Sequence, residues 1–167
     1  MAWLRSAFQD ELDSVTQTLV DLSTIVSEAI GKATHALLTA DLTEAEAVIA
    51  ADDKVDTMQH DLDSRIIDII ARQQPVASDL RALITALRMS ADLERMGDMA
   101  HHVAKITRLR HPQAAIPSEL LLTIEEMGKV AQMIAEKAGA VISSRDIEKA
   151  VELEKDDDEM EIGRAHV

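Results

Sequence analysis

Hydrophobic residues early in the chain recur at Phe8, Leu12, Val15, Leu19, Leu22, Val26, Ile30, Ala33 and Leu37, in steps of three or four. That spacing writes one apolar seam along a single long amphipathic helix. The run Thr39-Ala40-Asp41-Leu42 interrupts it, and Thr43 with Glu46 reads as a capping box that opens a second helix. Val48, Val55, Leu62 and Ile69 then return every seven residues, with Ile66 and Ile70 widening the stripe. Pro75 ends this helix, since it lacks an N–H donor and restricts the residue before it. Ser78 reads as the N-cap of a third helix running to about Leu109. Periodicity lapses from His111-Pro112 to Pro117, the expected domain boundary. Ser118 with Glu119 opens a fourth helix, with its seam at Leu120, Ile124, Met127, Ala131, Ile134, Ala138 and Ile142. A turn at Ser143-Ser144-Arg145-Asp146 precedes a fifth helix beginning at Ile147. The pattern predicts an all-α chain: a three-helix bundle over residues 1–110, then an incomplete second bundle over 118–161.

An internal repeat supports two related bundles. Shifting the chain by 105 residues without a gap lays Val15, Leu19, Leu22, Val26 and Leu37 on Leu120, Ile124, Met127, Ala131 and Ile142. Asp41 then meets Asp146, Asp52-Asp53 meets Asp157-Asp158, and Val55 meets Met160. Any two heptad helices can be aligned, but here seam, turn and acidic cluster coincide together.

Composition narrows the function. The 167 residues carry 17 basic and 31 acidic side chains, a formal net charge of −14, yet 47% are hydrophobic, so the acidity is not that of a disordered tail. Trp3 and Phe8 are the only aromatics of the Phe, Trp and Tyr class, and Gly and Pro are few, which disfavours a turn-rich β architecture. The negative charge opposes a phosphate backbone, so nucleic acid is not an expected partner. The absence of Cys removes thiolate chemistry and fits a cytoplasmic setting. No apolar run is long enough to span a bilayer, and MAWLRSAFQDELD lacks the core of a signal peptide; membrane insertion is not expected.

The third helix holds the sharpest departure from pattern. The heptad column of Leu80 and Leu87 continues into Glu94 and His101, placing charge where the seam asks for Leu. A carboxylate at such a position is costly unless paired or metal-bound. Glu94 and Asp98 are four apart and share a face, as do Asp52 and Asp56 on the second helix. Folded as an antiparallel hairpin about Val76, both pairs lie at about the same height, roughly 30 Å from the turn. Facing carboxylate pairs form an oxygen-rich cage suited to hard or borderline cations. Asp52, Asp56, Glu94 and Asp98 are therefore the candidate metal ligands. His101, at Asp98 plus three, can reach the same cage, although an ordinary bundle histidine is the plainer reading. The repeat adds Asp157 and Glu161 as candidates in the second half. His35, His60, His102 and His111 lack ligand spacing, and the eight Met read as core filler. No phosphate loop, nucleophile elbow or HExxH motif is present, so no catalytic residue is assigned.

The segment Asp92-Leu93-Glu94-Arg95-Met96-Gly97-Asp98-Met99-Ala100 resembles the signature of the PhoU family, and Asp52 with Asp56 resembles its second hallmark in the preceding helix. The resemblance covers residues 1 to about 161. It implies two tandem three-helix bundles and a cytoplasmic, non-enzymatic regulator able to bind iron or zinc clusters through these carboxylates. It further implies partners in the Pst phosphate transporter and the PhoR sensor kinase, with phosphate-starvation signalling restrained when phosphate is plentiful; homodimerisation is left open. The alternative reading is a ferritin-like or rubrerythrin-like di-metal carboxylate oxidase. That class wants two Glu-x-x-His motifs, against a nearest match here of Asp98-x-x-His101.

The C-terminal end departs from the family pattern. A third helix of the second bundle, expected near residues 184–214 from the same shift, is absent from the 167-residue sequence. Glu161 to Val167 back-translates to GAG ATC GGA AGA GCA CAC GTC, which from its second base is the start of a common sequencing-library adapter. Residues 162–167 are accordingly expected to be non-native, and position 161 to be Asp like its repeat partner Asp56. Helices four and five would then lack a third partner, leaving their seams partly exposed or docked elsewhere.

Overall fold

The computed structural model describes the backbone of residues 2–144 and the side chains of residues 7–144. The predicted fifth helix, the candidates Asp157 and Glu161, and the 162–167 extension lie outside the described residues. Four α-helices follow in chain order: α1 (Ala2–Thr39), α2 (Leu42–Gln73), α3 (Ala77–Arg110) and α4 (Leu121–Ser144). No strand occurs among the described residues, and no described helix is long and apolar enough to cross a membrane.

The first two seams lie where the periodicity puts them. Leu12, Val15, Leu19, Leu22, Val26, Ile30, Ala33 and Leu37 of α1 are buried, as are Val48, Val55, Leu62, Ile66 and Ile69 of α2. The turns differ in detail. Ala40 adopts a left-handed conformation at φ 53°, and Asp41 is the N-cap of α2, its side chain accepting from the Glu44 N–H at 3.0 Å. Thr43 and Glu46 therefore do not form the cap: both already lie inside the helix, with Thr43 two residues too late. At the other end Gln74, at φ 45°, donates its N–H to the Ile70 carbonyl and closes α2 before Pro75. Val76 rather than Ser78 is the N-cap of α3, and it supplies no side-chain hydrogen bond. The fourth helix is entered through a short 3-10 turn at Ser118–Leu120.

On α3 the seam is not the predicted column. The buried positions are Leu83, Ala86, Ser90, Leu93, Gly97, Ala100, Ala104 and Thr107. They form a strict three-and-four ladder made mostly of small residues, which a search for large apolar side chains passes over. Leu80 is 37% exposed, and Glu94 and His101 are half-buried at the edge of the seam rather than within it. Small residues bring the backbones together. A Cβ added at Gly97 would stand 3.2 Å from Val55 Cγ1 and 3.7 Å from Val26 Cγ2, so α3 comes close to both neighbours there.

α4 packs on a face of α1 that adjoins the one meeting the α2–α3 hairpin, and Val141 and Ile142 of α4 line a cleft together with Leu83, Ala86 and Met89 of α3. Its buried positions are Ala135 and Gly139, while most of the predicted seam is only half-buried. The contact again uses small and hydroxyl residues: Gly128 lies against Thr34, Gly31 against Gln132, and Gly139 against Ser23. The Ser27 hydroxyl donates to the Gln132 carbonyl at 3.3 Å and to the Glu136 carboxylate at 3.0 Å.

These contacts carry the signature of the 105-residue repeat. Under that shift Gly128, Gln132, Glu136 and Gly139 correspond to Ser23, Ser27, Gly31 and Thr34. Thr34–Gly128 and Ser23–Gly139 are then mates, as are Gly31–Gln132 and Ser27–Glu136, while Ser27 contacts its own counterpart. A residue meets its own equivalent only on a two-fold axis, so α1 and α4 pack as an isologous, antiparallel pair.

Gly97→Leu should destabilise the bundle by about 2 kcal/mol through overpacking against Val55 and Val26. The expected reading is a thermal midpoint about 5–10 °C lower with helicity retained at room temperature. An unchanged melting curve would show that α3 does not sit this close to α2.

Candidate metal centre

The close approach at Gly97 decides what stands above it. α2 and α3 run antiparallel from the turn at 74–76, so Asp52 and Asp56 on one helix come level with Glu94, Asp98 and His101 on the other. One ligand atom from each of Asp52, Asp98 and His101 lies within 4.8 Å of the others. His101 Nδ1 pairs with an Asp52 carboxylate oxygen, and both side chains are largely withdrawn from solvent. His101 Nε2 is buried without a hydrogen-bond partner among the described residues. The His101 ring also stacks on His102, with centroids 6.0 Å apart.

Asp56 and Glu94 complete the group by charge rather than by short contact. Glu94 is held above the ordinary value of 4.5, first by burial and then by the charges of Asp98, Asp56 and Asp52, with Arg95 pulling it back. Asp56 is held above 3.8 by partial desolvation, then by Asp52, Asp98 and Asp53, with His101 opposing. The Asp56 side chain remains open to solvent, so the neighbouring charges are the firmer of its two causes. Each carboxylate feels the others.

A divalent or trivalent cation fits this donor set. Mutually repelling carboxylates, a half-buried imidazole and an orphaned ring nitrogen are all relieved by a positive ion, and mixed oxygen and nitrogen donors suit iron or zinc. Asp52, Asp98 and His101 would supply the closest ligands, with Asp56 and Glu94 at the rim; the ion would cross-link α2 to α3. The four predicted carboxylates are thus brought together. His101, which spacing alone favoured as an ordinary bundle histidine, sits among the closest three. Its place seven residues after Glu94 was the available signal.

Beneath this cluster the hairpin is pinned by a second polar contact, in which Ser90 donates to Asp63 at 2.5 Å and Gln59 donates to the same carboxylate at 2.6 Å. Ser90 is fully buried and its hydroxyl also reaches the Leu87 carbonyl of its own helix at 3.1 Å, so a wrong register would cost it the charged acceptor and leave the weaker local one.

Fold and site together define an antiparallel helical-bundle protein with a carboxylate–histidine cluster between its second and third helices. Comparison with known proteins makes this specific. The PhoU domain model matches residues 19–107. The "Phosphate-specific transport system accessory protein PhoU homolog 2" of Mycobacterium tuberculosis is 40% identical over 164 residues, covering 98% of this chain and 77% of that protein. The PhoU homolog 1 of Mycobacterium leprae is 38% identical, covering 98% and 74%. Among solved structures, PhoU from Pseudomonas aeruginosa superposes with a TM-score of 0.84 at 27% identity, covering 93% of this chain and 74% of that one. The phosphate transport system regulatory protein PhoU from Streptococcus pneumoniae gives 0.83 at 26%, covering 93% and 72%. The chain belongs to the PhoU family.

Two measurements test the centre. Asp52→Ala with Asp98→Ala should abolish bound zinc or iron in elemental analysis while leaving helicity unchanged. His101→Ala should weaken zinc binding by more than the ~10-fold typical of an outer contact. Full metal content in the double variant would rule out the assignment.

The upward shifts also fix a sign. The metal-free folded chain holds protons at Asp56 and Glu94 more tightly than the unfolded chain does. These groups therefore favour folding at low pH, and that contribution is lost as pH rises through the range just above the ordinary carboxylate values. Asp56→Asn should raise the metal-free melting midpoint at neutral pH, and the gain should vanish below about pH 4. A gain that persists in acid would show that charge is not its cause.

Proposed function

We propose that the chain is a non-enzymatic, cytoplasmic regulator of phosphate homeostasis. It restrains phosphate uptake and starvation signalling when phosphate is plentiful, by linking the Pst transporter ATPase to a PhoR-type sensor kinase. The carrying observation is the segment Asp92 to Ala100 on α3, set opposite Asp52 and Asp56, in a chain 40% identical to a phosphate-specific transport system accessory protein. In this reading an iron or zinc centre is structural. It holds α2 and α3 at a fixed spacing, and the helical surfaces around it contact the partners. Peripheral attachment to the membrane comes through those partners.

The test uses a bacterium lacking its own PhoU protein, grown in high phosphate with alkaline phosphatase as the reporter of starvation signalling. Supplying this chain should restore repression, and the purified chain should retain both the transporter ATPase and the cytoplasmic part of the kinase. A folded, well-expressed chain that binds neither partner and leaves the phosphatase unrepressed would overturn the reading. Oxygen uptake on adding ferrous iron would instead support the di-metal oxidase class.

A further inference from the structure

α3 has a side that no other described helix covers. Arg81, Arg88, Arg95 and His102 recur every seven residues and are all exposed. Seven residues are two helical turns, so the four form one column, about 32 Å long. Ile84, Met99 and Ile106 lie beside the column, and Leu109 continues it. Of the eight large hydrophobic residues exposed among the described ones, five are on α3, with Met99 62% and Leu109 80% exposed. The buried ladder of α3 leaves this apolar content outside the core altogether.

Among the described residues the arginines are also without ion-pair partners. Arg65 and Arg72 of α2 are tied to α1, through Ser14 and Thr18 and through Glu11. Among the described residues Arg81, Arg88 and Arg95 form no salt bridge and no side-chain hydrogen bond. From 81 to 110 Asp92 is the one exposed acidic residue, because Glu94 and Asp98 turn toward α2. A chain of net charge −14 thus carries one face that is basic and apolar.

We propose that this outer face of α3 docks an acidic amphipathic helix of a partner protein. The partner lies along α3 with carboxylates opposite Arg81, Arg88 and Arg95 and with apolar side chains against Ile84, Met99 and Ile106. A straight column about 32 Å long, charged at every second turn, is matched in length and spacing by the side chains of a partner helix lying along it. The strongly negative chain as a whole is also repelled by an anionic bilayer. Interleaved apolar and basic positions match helix-on-helix recognition, in which apolar contacts give affinity and flanking charges choose the partner. This surface borders the metal centre but uses none of its candidate ligands, and it stands whether or not the phosphate-regulator reading holds.

The test uses the full chain and a labelled peptide of about four heptads, with Leu at the two seam positions and Glu at the flanking ones. Fluorescence anisotropy should report saturable binding that weakens at least ~10-fold between about 50 and about 300 mM salt. Arg81→Glu with Arg88→Glu should lose at least ~10-fold in affinity, one decade being about 1.4 kcal/mol, with an unchanged melting curve. The same double variant should prefer a peptide bearing Lys in place of Glu. Ile84→Ser with Ile106→Ser should weaken both pairings. Equal binding of a peptide with its Glu positions scrambled would overturn the proposal. So would uptake by vesicles of equal phosphatidylglycerol and phosphatidylcholine without peptide binding, or arginine-dependent self-association in sedimentation without peptide binding.

Discussion

The approach of α3 to α2 and α1 at Gly97 is the constraint on which the rest depends. With hydrogen in place of a side chain there, Val55 and Val26 close over the gap. Leu93 and Ala100 fill the seam on either side. The carboxylates just outside that seam are carried along, and their crowding is the cost of the packing. The magnitudes favour the packing. Each large apolar side chain fully buried contributes roughly 1.5–3 kcal/mol, whereas each like-charge contact at a half-exposed site costs about 1 kcal/mol or less. The helices can therefore hold four carboxylates together without a cation and still fold, with Glu94 and Asp56 absorbing the conflict as raised proton affinity.

α1 makes the arrangement double. One of its faces, from Leu12 to Leu37, is the apolar wall of the three-helix bundle. Another, at Ser23, Ser27, Gly31 and Thr34, receives α4. The two faces use different chemistry for a physical reason. The first must fill the space between three helices and needs large side chains. The second lies on a pseudo-two-fold axis, where Ser27 meets its own counterpart Gln132 and the flanking contacts are mates of one another, and only small or hydrogen-bonding side chains let two such helices come close. Buried Ser23 and Ser27 belong to that second face rather than to a flaw in the first.

What the sequence made legible follows from the same division. Seams built of Leu, Ile and Val, on α1 and α2, could be read directly because periodic large side chains have no other use at that spacing. The level of Asp52 and Asp56 against Glu94 and Asp98 could be read because rise per residue is fixed and the turn at Gln74-Pro75 is sharp. The seam of α3 could not be found this way. Ala86, Ser90, Gly97 and Ala104 are ambiguous one at a time, and the more conspicuous Leu80 and Leu87 pointed to a neighbouring column. That displaced Glu94 from the edge into the seam, and it hid why His101 belongs with Asp52 rather than with the core. Both caps fall two residues before the expected ones. Asp41 caps α2 with its own carboxylate ahead of Thr43, and Val76 opens α3 by backbone geometry alone, which residue type does not reveal.

Once the ladder of α3 is set correctly, the helix has three distinct sides. Leu83, Ala86, Ser90, Leu93, Gly97, Ala100 and Ala104 face the bundle. Glu94, Asp98 and His101 face the edge of α2. Arg81, Arg88, Arg95 and His102 face outward. The second and third sides border each other one residue apart along the chain, and the stacked rings of His101 and His102 mark that border. Glu94 at the edge and Arg95 at the head of the neighbouring column position lower each other's energy across that border. Arg95 shows this in the smallest unit: it forms no salt bridge, yet it draws Glu94 back toward its ordinary proton affinity. Acidic edge and basic column are two halves of one charge distribution, fixed in place by the small residues beneath them.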